Sequence, residues 1–183
     1  MKSGFELRDS SAKGEGVFAT KSFKTGDVVI VGIIDARLKE NHSHASQIGE
    51  FEFVFHAGLT TKVNHSCSPN CGIAVNKSGA HDFVAIKNFS EDEEITFDYA
   101  MRNYTIDYFP SKCRCGSKKC RGKITGWKDL TSKKKKEYAQ FAAPYLLEID
   151  AKYARKIKPI KVPASSTPGN TGMKHVIPDL KLS

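Results

Sequence analysis

The sequence predicts a mainly β fold with few helices, an α+β arrangement of small sheets, on three observations. Apolar runs in the first hundred residues are short and rich in Val, Ile and Phe, as in VVIVGII (28–34) and HDFVAIKNF (81–89). That length suits strands rather than helices, which need about 10–12 residues. Between the runs lie clusters of Gly, Asn, Ser and Pro, the residues that turn or break a chain. Helical spacing emerges only beyond residue 130.

Taken in order, Thr25, Gly26 and Asp27 form a turn signal, and residues 28–34 after it read as one buried strand. The polar stretch NHSHASQIGE (41–50) reads as a loop. Phe51, Phe53 and Phe55 alternate with Glu52 and Val54, as a strand does. NHSCSPNC (64–71) is too dense in Asn, Ser and Pro for a regular element. HDFVAIKNF and EITFDYA (94–100) are two further strands around an acidic turn at residues 90–93. Thr131 or Ser132 caps a helix that places Tyr138, Phe141, Ala142, Tyr145 and Ile149 at helical spacing, and Pro144 breaks or restarts it. Residues 158–183, rich in Pro, Ser, Thr and Gly at their start, read as a flexible tail.

At 183 residues, with 39% hydrophobic content and 11 Phe, the chain can bury a real core. No apolar run approaches the roughly 18 residues of a membrane span, and the start MKSGFELRDS lacks the apolar stretch of a signal peptide. The expectation is an intracellular protein, cytoplasmic or (in a eukaryote) nuclear, with no membrane contact. Its net charge of +9 is unevenly spread. Residues 1–110 carry 11 Lys+Arg against 15 Asp+Glu, and residues 111–183 carry 18 against 5. A protein that coats nucleic acid over its whole surface would not be divided this way. A site built by the acidic part should welcome a cationic ligand.

Four features carry chemistry. Gly14, Glu15 and Gly16 either let backbone approach a ligand or simply make a turn. Asn64, His65 and Cys67 lie in a loop whose polar groups can recognise a polar cofactor or satisfy their own backbone. Phe97 and Tyr99 share a period in EEITFDY, where a buried tyrosine can be catalytic or can rest its hydroxyl on a carbonyl. Cys113, Cys115 and Cys120 are spaced for a shared soft cation, and a closed site needs a fourth ligand, from NHSCSPNC or a histidine.

Together and in this order, K-G-E-G-V-F-A-T, N-H-S-C-S-P-N-C, E-E-I-T-F-D-Y and C-R-C-G-S-K-K-C-R-G resemble the SET-domain protein lysine methyltransferases with a post-SET cysteine segment. I-T-G-W-K-D-L and A-P-Y-L-L are similar to small stand-alone, particularly bacterial, SET proteins. The resemblance covers roughly residues 5–130 and implies a fold of small curved sheets with a pseudoknot. It divides the chain into a SET domain (1–110), a zinc-binding post-SET segment (111–130), a helical extension (131–157) and the tail.

The resemblance also implies roles. S-adenosyl-L-methionine would bind through the backbone of Gly14, Glu15 and Gly16 and through Asn64 and His65, with Ile124 or Trp127 over the adenine. Cys67, Cys113, Cys115 and Cys120 would hold Zn2+, leaving Cys71 a buried thiol. Tyr99 would orient the substrate amine rather than deprotonate it, and Phe97 would leave room past monomethylation. Tyr104, Tyr108 and Phe109 would line the lysine channel or pack. A free lysine has a pKa of about 10.4, so only about one in 2,500 is neutral at pH 7; a nearby sulfonium and a dry channel disfavour the charged form without a strong base. The substrate is a lysine-bearing protein, histone-like or otherwise basic. Residues 38–60 match no histone-specific branch, and Thr61, Lys62 and Val63 replace the arginine-phenylalanine pair common before Asn64. Two other readings compete: a catalytically silent SET-like zinc module, and a nucleic-acid-binding zinc protein. The second survives as an accessory contact of Lys133, Lys134, Lys135 and Lys136 with nucleic acid or an acidic protein.

Overall fold

The computed structural model describes residues 4–10, 13–109 and 112–156. The tail predicted from residue 158 lies outside them. Among the described residues there are three sheets and two helices. Strands β1 (Phe5–Asp9) and β2 (Glu15–Ala19) form an antiparallel pair. A five-stranded sheet runs β3 (Val28–Ile30), β9 (His81–Ala85), β8 (Cys71–Val75), β10 (Thr96–Phe97), β7 (Asn64–His65). A three-stranded sheet runs β4 (Ile34–Leu38), β6 (Glu52–His56), β5 (Ser46–Gly49).

Local chemistry sets these elements and corrects several sequence expectations. Residues 28–34 are not one buried strand. Gly32 has no room for a Cβ against the backbone of His81, its N–H donates to Asp82 Oδ1 at 2.8 Å, and its carbonyl accepts from Asn76 Nδ2. The chain therefore crosses the β8–β9 connection there and changes sheets, leaving Val31 and Ile33 about 60% exposed. The stretch 41–50 is not all loop, because Ser46–Gly49 pairs with β6. On β6 the buried residues are Val54 and His56 rather than the phenylalanines, and Phe51 precedes the strand, exposed. The β8–β9 connection is an Asn turn: Asn76 Oδ1 accepts from the N–H groups of Ser78 and Ala80, and Gly79 takes φ +81°.

The C-terminal helices are part of the core. In α1 (Ser132–Tyr138) the Thr131 hydroxyl accepts from the Lys134 N–H at 3.2 Å, as an N-cap does. Pro144 restarts the chain as the first residue of α2 (Pro144–Lys156), where its missing N–H costs nothing. Tyr138, Ala142, Tyr145, Leu146 and Ile149 join Val17, Ile73, Phe83 and Phe97 in one buried cluster. Gly72 on β8 has no space for a Cβ beside Phe141, so the interhelix turn lies hard against the central sheet. That sheet's two-residue strands β7 and β10 carry the site.

Candidate active site and metal centre

Strands β7 and β10 pair in parallel, setting Asn64 beside Thr96 and His65 beside Phe97. This brings NHSCSPN and EEITFDY side by side. Asn70 clamps them: Nδ2 donates to the Glu94 carbonyl at 2.9 Å, and Oδ1 accepts from the Thr96 N–H at 2.8 Å. β10 stops at Phe97 because the Asp98 carboxylate caps the next turn, accepting from the Ala100 N–H at 3.1 Å. Tyr99 therefore opens a 3-10 turn (Tyr99–Met101) instead of continuing the strand period.

Tyr99 is held at both ends. Its N–H donates to His65 Nδ1 at 3.3 Å and its hydroxyl donates to the Val63 carbonyl at 3.3 Å. Its ring lies 4.9 Å from Phe97, 5.0 Å from Phe109 and 5.2 Å from His65, centroid to centroid. Burial pushes its pKa up to about 12, with the Arg102 charge acting the other way, so the phenol is neutral at pH 7.

Asn64 spends both amide protons inside the protein, on the Glu15 carbonyl (2.9 Å) and Glu94 Oε1 (2.8 Å). Glu94 also accepts from Ser10 Oγ at 2.8 Å and pairs with Lys13. A Cβ on Gly16 would stand 2.6 Å from Glu94 Oε1 and 2.9 Å from Asn64 Nδ2. That close approach is what Gly16 makes possible, while Gly14 supplies φ +76° just before β2. Glu94 is the hub of this network, and sequence reasoning had left it inside a motif without a role.

His65 links the tyrosine to the cysteines. Because Nδ1 accepts from Tyr99, the ring proton sits on Nε2, facing Cys67 Sγ at 3.3 Å. Burial lowers its pKa to about 4, only partly opposed by Asp98, so the ring is neutral. Asp98 is fully buried, accepts from the Tyr138 hydroxyl at 3.3 Å, and takes both terminal nitrogens of Arg121. The Arg121 N–H donates to Cys67 Sγ at 3.4 Å. Asp98, Arg121 and Tyr138 were also missed; the signal available was an arginine immediately after the last cysteine of the cluster.

Cys67, Cys113, Cys115 and Cys120 place their sulfurs within 4.8 Å of one another. A tetrahedral ion with metal–sulfur bonds of about 2.3 Å holds its sulfurs roughly 3.8 Å apart, so the set fits such an ion. Cys71 stands outside the group, fully buried, its thiol pushed up to about 12 by burial.

Two hollows meet at Tyr99. One, of about 280 Å³, is lined by Lys13, Asn64, His65, Tyr99, Phe109, Lys112, Cys113, Arg114, Cys115 and Ile124. The other, of about 210 Å³, shares Lys13, Asn64, Tyr99 and Phe109 and adds Glu15, Ser43, His44, Thr61 and Lys62. The charged groups lining the first are all basic, Lys13 from the acidic part of the chain and Lys112 and Arg114 from the basic part, so this hollow does not itself favour a cation. Ile124 lines this hollow; Trp127 does not, being buried with its Nε1 donating to Asp150 Oδ2 at 2.9 Å. A third hollow, of about 660 Å³, lies between β5–β6 and α2 and is lined by Glu50, Phe51, Phe53, Tyr104, Asp107, Tyr108 and others. The Tyr108 ring is 5.2 Å from Phe109, which in turn touches Tyr99.

Residues 14–100 match the family described as the SET domain. Over 87 residues the chain is 39% identical to a histone-lysine N-methyltransferase, H3 lysine-9 specific KMT1, of Fusarium mangiferae, an alignment covering 39% of this chain and 25% of that protein. It is 36% identical over 67 residues to an H3 lysine-36 specific enzyme of Mycosarcoma maydis, covering 35% and 7%. It is 28% identical over 131 residues to histone-lysine N-methyltransferase trithorax of Drosophila virilis, covering 61% and 3%. The chain thus spans a quarter or less of these relatives. Among solved structures, that of KRYPTONITE with mCHH DNA, an H3(1–15) peptide and SAH matches at TM-score 0.52 and 24% identity, covering 68% of this chain and 30% of that one, which shows the fold.

Proposed function

We propose that this chain, which carries a SET domain over residues 14–100, transfers methyl groups from S-adenosyl-L-methionine to the ε-amine of lysine in a protein. One observation carries the reading: Tyr99, neutral and pinned at both ends, is a shared wall of two hollows lined by Asn64 and Lys13. The cofactor supplies an activated methyl group when bound. Gly14, Glu15, Gly16, Asn64 and His65 hold it, and the basic lining from Lys13, Lys112 and Arg114 suits the carboxylate of its amino-acid part. Since the ring nitrogens of His65 are taken, its contribution is backbone.

The substrate lysine enters past Tyr108 and Phe109 from the 660 Å³ hollow, whose charged lining is Asp107, Lys128 and Glu50, the last paired with Lys152. A histone-type substrate is supported by the relatives, which are named for histone lysines, and by the H3 peptide in the KRYPTONITE complex. Tyr99 orients the amine, and no residue beside it is a strong base at pH 7. Phe97, fully buried with no hydroxyl to hold a water, allows more than one methylation. Exhaustive reaction of a cognate peptide should yield di- or trimethyl-lysine by mass spectrometry; a product that stops at monomethyl contradicts that role.

Zn2+ on Cys67, Cys113, Cys115 and Cys120 fixes the segment after residue 112 against His65. Cys67→Ser is expected to lose zinc and activity together; unchanged metal content would remove Cys67 from the ligand set. The accessory polyanion contact narrows. Lys134 is paired with Glu137 and Lys135 with Asp150, so Lys133 joins Lys87 and Lys119 around a separate hollow of about 510 Å³. Transfer of labelled methyl to a lysine peptide, with Tyr99→Phe about a hundredfold slower or worse, tests the whole reading; no transfer by the wild-type chain would favour the silent module.

A further inference from the structure

Arg102 follows the Tyr99–Met101 turn and is 6% exposed. Its guanidinium carbon lies 4.8 Å from the centroid of the Phe97 ring, which also packs against Tyr99 at 4.9 Å and Phe83 at 5.0 Å. Its Nε has no hydrogen-bond partner, and no carboxylate among the described residues forms an ion pair with it. An unpaired buried charge is among the most expensive features a fold can carry. Phe97 could be held in place by any apolar neighbour, so packing alone does not account for a charge here.

The groups facing Arg102 come from every element around it. Tyr99 lies on its own turn, Tyr108 on the segment beyond, and Tyr145 on α2, its hydroxyl donating to the Arg102 carbonyl. His56 on β6 and His81 on β9 both feel its charge. All five are neutral at pH 7. Burial raises Tyr99 to about 12 and lifts Tyr108 and Tyr145, and it lowers His56 to about 4 and His81 well below its usual range. Asp82 acts on His56 from β9, but its carboxylate is engaged by the Gly32 N–H and the Asn76 amide. Arg102 is thus a fixed, uncompensated cation one aromatic ring behind Tyr99.

We propose that Arg102 is a positioning residue for methyl transfer, its charge behind Phe97 disfavouring the ammonium form of the lysine held beside Tyr99. The inference rests on the lysine-methylation reading. The ammonium proton leaves to water; the amine lone pair then forms the N–C bond as the C–S bond breaks, giving a methylammonium product and a thioether. A unit charge roughly 10 Å away at an effective dielectric of about 20 moves such a titration by about one pH unit.

The test is the pH profile of kcat/KM for methyl transfer to a lysine peptide, from pH 6.5 to 10. Arg102→Met should move the acid limb up by about one unit, about tenfold slower at pH 7, with the alkaline plateau near wild type. Arg102→Lys keeps the charge and should keep the limb. Arg102→Gln removes the charge while keeping a polar side chain and should move the limb as Arg102→Met does; it also covers the case in which Arg102→Met fails to fold. A loss of the same factor at every pH in Arg102→Met, or an unmoved limb in Arg102→Gln, overturns the inference alone. Absence of transfer by the wild-type chain at all pH values overturns the methylation reading and this inference with it.

Discussion

The two sides of Tyr99 are built from different materials. On the side of His65 and the cysteines, polar groups are matched: Glu94 takes three donors, Asn70 holds the backbone of Glu94 and Thr96, and Asp98 takes Arg121, Tyr138 and a backbone N–H. On the side of Phe97 and β6 the packing is aromatic, and several buried polar atoms go unmatched, although His56 meets Ser46 Oγ at Nδ1 and the His81 N–H at Nε2. His81 Nδ1 and Nε2, Arg102 Nε and Asn103 Oδ1 have no partner among the described residues, against Arg121 Nε on the first side. The first side is a scaffold in which most buried polar groups find partners within the protein. The second keeps charge and donors in a dry setting, where they act strongly on whatever enters.

Mutations should read this contrast directly. Asp98→Asn leaves Arg121 without its buried partner and should cost about 3–5 kcal/mol, roughly 10 °C in Tm or more; a change under 1 kcal/mol would mean the scaffold is not held there. On the other side the probe is acid. His56 has a folded pKa of about 4 against about 6.5 unfolded, so the unfolded chain binds more protons between those values. Stability is intact above pH 6.5 and falls as pH drops toward 4, by roughly 3 kcal/mol from this group, with His81 acting in the same direction. Urea melts at pH 7, 6 and 5 should show that slope, and it should flatten in His56→Gln; equal slopes in the two proteins would contradict a His56 kept neutral by burial and the Arg102 charge. The smallest effect is expected for Glu94→Gln, which keeps an acceptor but loses the charge facing Lys13. About tenfold weaker cofactor binding by calorimetry, with little change in Tm, is the expected result. A large loss of Tm instead would make Glu94 part of the fold rather than of the site.

The contrast also explains what could be read from sequence. The matched side rests on residues contiguous in short motifs, so Asn64, His65, Cys67, Tyr99 and the cysteine spacing are legible in the sequence alone. Its long-range partners were harder, since nothing local ties Arg121 to Asp98 or Lys13 to Glu94, more than 20 and 80 residues away in the chain. The aromatic side was almost illegible. His56, His81, Arg102, Tyr108 and Tyr145 come from five separate segments, and Arg102 in AMRNY reads like any surface arginine. Strand limits failed where tertiary contact decided them, at Gly32 against His81 and at Tyr99 after the Asp98 cap. Regional net charge says little about the hollow beside Tyr99 for the same reason: residues 1–110 supply only Lys13 among its charged lining, and Lys112 and Arg114 come from the basic part of the chain.

The most direct measurement is tandem mass spectrometry of a basic, lysine-containing protein such as histone H3 after incubation with S-adenosyl-L-methionine, comparing the wild-type chain with Tyr99→Phe. Methyl groups are expected on lysine ε-nitrogens with the wild-type chain, and about a hundredfold fewer with Tyr99→Phe. Methylation confined to other residue types, or equal lysine methylation by the two proteins, would contradict it.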